Sequence, residues 1–425
     1  MIEFSADINA KLHACAGLVV GFSGGLDSTV LLHQLANDST LSARVRAVHV
    51  NHGISANAQS WQEHCEVVCR ALNIPLLIRV VQLRERANLE EAARIARYTV
   101  FASVLQANEA LLLAHHADDQ AETLLLNLFR GAGLDGLAAM PAVKSFAAGV
   151  LIRPLLSTAR SMLLFYAEEH KLTWVLDESN QDVNFARNYL RHHVLPSVTM
   201  QWPHVVKNLL RTAEHCQTAK KNLESLATID LPDLDADILP LAGIISLERS
   251  RIDNILRAWI SKHKVHSPST NTFQCLIDEV IFARHDKTPC LQWDNVIIRR
   301  FNGALYWLIQ SATVPIAPVQ WVHFPSALVF TLGILCAESA VRGLYVPKNC
   351  QVTVRFRCGG ETIRLHGQTK SLKKLMQSWQ IPTWQRALVP LIYINDELAV
   401  VVGYAVSDLY YATTGTDVYT ITIRH

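Results

Sequence analysis

The chain has no CxxC pair. Its nine cysteines are scattered and odd in number, which excludes a disulfide framework and fits free thiols in a reducing compartment. Long hydrophobic runs are also missing: the longest apolar-leaning stretch, Phe324 to Ala337, is shorter than a bilayer span and contains Pro325, Ser326 and Thr331. No membrane segment is expected. The N-terminus, MIEFSADINAKLHA, carries acidic residues and lacks an apolar core followed by a small-residue cleavage site, so no signal peptide is visible and a cytoplasmic location is expected. Charged residues make up only 18% of the chain against 50% hydrophobic, which excludes a disordered tail protein or a coiled coil. Internal repeats and low-complexity segments are absent, as is any GxxxxGK[ST] phosphate loop. What remains is a 425-residue globular chain with a formal charge of only +2, long enough for several domains.

The first 130 residues alternate short apolar strands with helical patterns. GLVVGFS, RVRAVHVNH, PLLIRVV and ALLLAHH are each followed by ten or more residues of helical period, which predicts right-handed crossovers and a doubly wound parallel sheet. A helix from Thr158 to His170 and the segment Trp174 to Asn188 are expected to close this α/β domain, giving it residues 1–202. Residues 203–312 read as a mainly helical middle domain, with a hairpin turning at Asn302-Gly303. The Pro-rich, aperiodic start of 313–350 reads as a linker, and 351–425 as a small α+β domain with a second hairpin.

Ser23-Gly24-Gly25-Leu26-Asp27-Ser28 stands between the first strand and a helix expected to begin near Asp27. Glycines that let backbone amides approach closely, at the positive end of a helix dipole, suit a polyphosphate. The pattern SGGxDS resembles the PP-loop of the N-type ATP pyrophosphatases, which split ATP to AMP and pyrophosphate while adenylating a substrate. That resemblance implies ATP as cosubstrate, held by Ser23 to Ser28, with Asp27 as a ligand for Mg²⁺ or water. Asp27 would also serve as an ordinary helix cap.

His115-His116-Ala117-Asp118-Asp119-Gln120-Ala121-Glu122 follows the strand ALLLA and opens a helix, at a strand end that should face the same crevice. Three carboxylates and two imidazoles in one place call for a cation or a cationic substrate; a zinc site lacks a second half. His49-Val50-Asn51-His52-Gly53 ends the second strand, a position expected to reach adenine or ribose. Glu90, Arg94 and Arg97 share a helix face, as either substrate contacts or a solvated salt-bridged surface.

Beyond the loop, the chain resembles the bacterial tRNA(Ile)-lysidine synthetases. The motifs that carry this are SGGLDSTVLLH, HVNHG, EEAARIARY, AHHADDQAETLLLNLFRGAGLDGLAAM, DESNQDVNFARNYLRHHVLP and RFRCGGETIRLHGQTKSLKKLMQSWQIPTWQRALVPLIY. The resemblance implies ATP-dependent ligation of L-lysine to C2 of the wobble cytidine of a CAU-anticodon tRNA(Ile), shifting decoding from AUG to AUA. On that reading Asp118, Asp119 and His116 are candidates to take the proton from the lysine amine. Glu122 would help hold its ammonium, and Arg187, Asn188 and Arg191 would contact the anticodon stem or ATP phosphates. A thiolase of the same superfamily is the nearest rival, but sulfur transfer calls for a cysteine pair or iron-sulfur ligands. A homodimer is kept open.

Between Gln351 and Pro390, seven basic residues stand against Glu361 alone, a net +6, leaving 32 basic and 36 acidic residues, or −4, elsewhere. Lys370, Lys373 and Lys374 are expected on one side of a helix near Trp379 and Trp384, which suits phosphate contact beside a stacking surface. A solvated helix over a Trp-anchored core fits the same residues.

Overall fold

The computed structural model describes residues 2–53, 55, 57–81, 89–263, 265, 267–284, 288–310, 317–413 and 417–424. The chain divides into two compact units, Met1–Leu226 and Ala227–His425.

In the first unit, α1 (Ala6–Ala14) leads into β1 (Gly17–Gly21), α2 (Leu26–Ala36), β2 (Val45–Asn51), α3 (Ala58–Ala71), β3 (Leu76–Val80), α4 (Leu89–Val104), β4 (Glu109–Leu112) and α5 (Ala117–Phe129). A short α6 (Leu134–Leu137) precedes the hairpin β5 (Val143–Phe146) and β6 (Gly149–Ile152), followed by α7 (Arg160–Glu169). The sheet order is β3-β2-β1-β4-β6-β5, parallel except for β5. This is the expected doubly wound sheet, with an antiparallel edge hairpin added. Leu18, Val19 and Val20 of β1 are fully buried, their side chains divided between the cores on the two faces, which is why the strand reads as an uninterrupted apolar run. Because β2 and β4 lie on opposite sides of β1, the chain reverses direction at β1, and the carboxyl ends of β1 and β4 open a crevice there.

The unit continues through α8 (Ala186–Tyr189), a π-helical turn (Leu190–Val194) and α9 (Leu195–Gln201). The long α10 (Val205–Asp230) contains the boundary between the two units.

In the second unit, α11 (Arg249–Lys262), α12 (Thr270–Cys275) and the following π turn (Leu276–Ile281) pack with a four-stranded sheet around Trp259. That sheet has the order β7-β10-β9-β8, from β7 (Ile238–Pro240), β8 (Cys290–Trp293), β9 (Val296–Phe301) and β10 (Ala304–Ile309). The β9–β10 turn falls at Asn302-Gly303, both with positive φ, as expected.

The stretch read as a linker contributes strands and core residues, which corrects that expectation. It holds β11 (Val319–Gln320), β12 (Leu328–Phe330) and the thirteen-residue β13 (Gly333–Tyr345), and Trp321 and Leu335 are core residues. Residues 311–316 lie outside the described set. Then come β14 (Val352–Arg355), β15 (Thr362–Leu365), β16 (Gln368–Ser371), α13 (Leu372–Ser378), β17 (Leu391–Ile394), β18 (Glu397–Val401), β19 (Ala405–Val406), β20 (Tyr411–Ala412) and β21 (Val418–Arg424). A five-stranded sheet, β11-β14-β17-β18-β19, lies at the centre of this β-rich part, and β13 pairs with β12, β20 and β21.

Candidate active site

The hexapeptide after β1 is held from three sides. The Phe22 amide still donates to the Val48 carbonyl at 2.9 Å, so the chain leaves the sheet only beyond Phe22. Gly24 has φ +82°, and a Cβ there would lie 2.9 Å from Cys65 Sγ, so conformation and space both require glycine. The Val175 amide donates to the Gly24 carbonyl at 2.9 Å. Gly25 is the N-cap of α2, and the Ser23 and Ser28 hydroxyls lie 3.1 Å apart beside it. With no capping side chain in the way, the first-turn amides of α2 are available to an anion.

Across the crevice, His116 caps α5 through a reciprocal box with Asp119, whose Oδ2 accepts from the His116 amide at 3.1 Å. The ring is 1% exposed. Its Nε2 lies 3.7 Å from Asp27 Oδ2 and 3.5 Å from Asp119 Oδ2, and its Nδ1 lies 3.6 Å from Asp118 Oδ2. Burial opposes a charge on this ring, but Asp118, Asp119 and Asp27 outweigh it and raise its pKa. The half of the box in which Nδ1 accepts from the Asp119 amide, at 3.4 Å, belongs to the neutral ring; the imidazolium that the three carboxylates favour gives it up and faces Asp118 instead. Asp27 moves the other way from an ordinary carboxylate: burial, opposed by His116, raises its pKa. Its Oδ1 is buried with no hydrogen-bond partner.

Behind this row, Glu122 is completely buried. Arg187 Nε donates to its Oε2 and Arg191 Nε to its Oε1, each at 2.7 Å, and Arg191 also reaches Asp119 Oδ1 at 3.0 Å. The π turn matters here, because it follows α8 directly and carries Arg191 toward the same two acids as Arg187. Burial opposes ionisation of Asp119, yet His116 and Arg187 hold its carboxyl below the usual range. Asp118 is also lowered against burial, by His116 and by the Arg160 amide, which donates to it at 2.9 Å.

The structure thus brings Asp27, His116, Asp118, Asp119, Glu122, Arg187 and Arg191 together, but pairs the arginines with acids rather than leaving them for RNA. Asn188 is turned inward, donating to the Asp182 carbonyl at 2.9 Å, so it does not offer the surface contact expected of it. His49 is likewise a support, its Nδ1 donating to the Phe22 carbonyl at 2.9 Å. Arg94 and Arg97 are exposed on α4, with Arg94 5.2 Å over the Tyr98 ring; the Glu90 side chain lies outside the described residues. Sequence reasoning missed Arg153, which is buried and donates to His115 Nδ1 at 3.2 Å. Cys65 and Cys69 are buried thiols pushed up to about 12 by desolvation. Among the described residues no group of three or more His, Cys, Asp or Glu side chains is arranged to hold a metal by itself.

In the C-terminal part, Lys370 lies on β16 and not on the helix with Lys373 and Lys374, which corrects the one-sided arrangement expected of them. Lys370 and Lys374 line a cavity of about 400 Å³ with Thr369, Ser371 and Ser378; Lys373 is outside its lining. Trp384 is an internal anchor, packed edge-on against Tyr306 and Phe301 at 5.3 and 5.9 Å, whereas Trp379 stacks on exposed Tyr404.

A PP-loop domain family matches residues 4–198, a TilS substrate binding domain family residues 239–306, and a TilS substrate C-terminal domain family residues 352–422. The chain is 50% identical to a tRNA(Ile)-lysidine synthase of Legionella pneumophila (strain Paris), over 97% of this chain and 96% of that one. It is 39% identical to a tRNA(Ile)-lysidine synthase of Coxiella burnetii, over 96% and 92%. Among solved structures it is partly similar to a U34-tRNA thiolase from Methanococcus maripaludis, at 17% identity and a TM-score of 0.39, over 49% of this chain and 77% of that one.

Proposed function

Because the chain belongs to the tRNA(Ile)-lysidine synthase family, we propose that its crevice uses ATP to join L-lysine to C2 of the wobble cytidine of a CAU-anticodon tRNA(Ile). In the first step the cytidine O2 attacks the α-phosphorus of ATP. The new O–P bond forms as the bond to the bridging oxygen breaks, and pyrophosphate leaves into the Ser23–Ser28 cradle. In the second step the lysine ε-amine, after losing a proton, forms the N–C2 bond. The C2–O bond breaks and AMP departs with that oxygen. The observation that carries this reading is His116, whose ring links Asp27 of the phosphate loop to Asp118 and Asp119 within 3.7 Å. Phosphate cradle and proton-handling acids are thereby fixed to one another, as two reactions on one nucleotide require.

Of the three candidates for the amine proton, His116 is buried under three carboxylates that favour its charged form, and Asp119 is held by both arginines. Asp118 keeps a third of its side chain exposed and is the acceptor we assign. Glu122, buried and bonded to Arg187 and Arg191, would hold those side chains in place behind the acid row. Mg²⁺ fits Asp27: its buried Oδ1 has no hydrogen-bond partner, and this ion takes one or two carboxylates alongside phosphate oxygens. Bound there, it would neutralise charge on the departing pyrophosphate. The lack of any CxxC pair in the chain favours this reading over sulfur transfer.

The test is incubation of the protein with ATP, Mg²⁺, labelled lysine and a CAU-anticodon tRNA(Ile) transcript. Label is expected in the RNA, with equal amounts of AMP and pyrophosphate released. ATP cleavage that leaves the RNA unlabelled would overturn the reading.

A further inference from the structure

Two adjacent histidines at the end of β4 are held in opposite states. His116 faces acids on every side, whereas His115 faces a guanidinium. Arg153, just after β6, is 4% exposed; its Nε lies 3.2 Å from His115 Nδ1, its Nη1 donates to the Pro141 carbonyl at 2.7 Å, and the Tyr98 hydroxyl adjoins it. A guanidinium stays protonated and has no acceptor atom, so this bond runs one way. His115 Nδ1 must offer a lone pair. The ring is therefore neutral, and its only proton is on Nε2. His49 is the counter-example in the same crevice, since its Nδ1 meets a carbonyl and must carry the proton.

We propose, building on the lysidine-forming reading above, that Arg153 is a positioning residue that fixes His115 as a neutral Nε2–H donor, so that His115 serves the reaction by donating a hydrogen bond and never by accepting a proton. The electrostatics agree. Burial, Arg153, Arg187 on α8 and Arg94 on α4 all push His115 down from its ordinary value, and Asp119 on α5 opposes them. A ring kept neutral in this way presents the same donor across the working pH range, and a charged neighbour is kept separate for balancing the acids. Pairs of titratable groups driven apart by their surroundings are a recurrent sign of divided roles in a site.

The test begins with His115→Gln, whose amide places an N–H near the position of Nε2 but cannot titrate, set against His115→Ala. Lysidine formation by His115→Gln is expected to stay within about tenfold of the parent with an unchanged pH profile, and His115→Ala to fall by about 10²–10³, the usual cost of one lost donor. Equal loss in the two variants, or a pH limb in the parent that His115→Gln abolishes, would overturn the proposal. Arg153→Met removes the guanidinium while Asp119 remains, so the His115 pKa should rise and an acid limb move upward in pH, absent from the Arg153→Met/His115→Gln double variant. An independent readout is ¹⁵N NMR of histidine-labelled protein, with His115→Gln identifying the signal. A pyridine-like Nδ1 and a pyrrole-like Nε2 are expected from about pH 5.5 to 8. A titrating or Nδ1-protonated ring would overturn the tautomer even where the enzyme assay succeeds. A correct tautomer in a protein that labels no tRNA would instead fault the lysidine reading and, with it, the catalytic use assigned to His115.

Discussion

The crevice and the C-terminal basic stretch both gather charge, but by opposite rules. In the crevice the central acids and cations are matched: Glu122 and Asp119 face Arg187 and Arg191, and His116 faces three aspartates. On the C-terminal surface Lys370, Lys373 and Lys374 make no ion pair with any described residue, while Arg355 and Arg357 are matched to Asp396 and Glu361. Paired buried charge positions groups and is costly to break; unpaired exposed charge is nearly neutral for folding and is available to a polyanion. The same residue types therefore do different work according to whether a partner is built into the fold.

The largest effect should follow removal of the buried acid. Glu122→Ala leaves Arg187 and Arg191 without their main partner and is expected to destabilise the protein by about 3 kcal/mol, the low end for a broken buried pair because the arginines keep some water contact. Denaturant unfolding measures this, and a loss under about 1 kcal/mol would place Glu122 with the surface pairs. Next is Asp119→Asn, which keeps the shape but removes a charge shared by His116 and both arginines. Pyrophosphate exchange is expected to drop by about 10²-fold or more; an unchanged rate would show the acid row to be structural only.

The third test uses pH. The folded pKa of His116 is raised, so the stability it adds is fully present below the unfolded value and is lost as pH rises through the folded one. The stability gap between the parent and His116→Asn should therefore narrow from mildly acidic to alkaline pH, and a gap that widens would contradict the imidazolium. The smallest effect on the protein itself is expected from Lys370→Ala with Lys374→Ala. Folding and ATP binding should be unchanged, while the slope of log tRNA affinity against log salt falls by about 1–2. An unchanged slope would remove that cavity from the RNA surface.

How much of this was legible in sequence differs along the chain. The strands and helices around β1 and β4 were readable because a parallel strand buried on both faces is a continuous apolar run, and a strand–helix junction with SGGLDS or HHADDQ has few other uses. The β5–β6 hairpin was not readable, since its turn uses Ala147 at φ +47° where Asn or Gly would have signalled it. Arg153 was hidden with it, 38 residues from the histidine it bonds. The strand β13 was masked by prolines before it and by a register irregularity between Ser339 and Leu344 that breaks the two-residue alternation. Arg187 and Arg191 stood out in sequence as contacts to the anticodon stem or ATP phosphates, but their pairing with Glu122 spans 65 and 69 residues and leaves no local trace.

The missing side chain of Gly24 also bears on a residue outside the loop. Cys65 Sγ occupies the space a Cβ at that position would need, so this thiol is in effect the floor of the phosphate cradle. Buried and un-ionised, it is shielded from electrophiles while the loop stays seated. An adduct on Cys65 would need the space the loop fills, so a reagent that modifies this thiol is expected to displace Gly24, and nucleotide bound at the loop is expected to slow the modification.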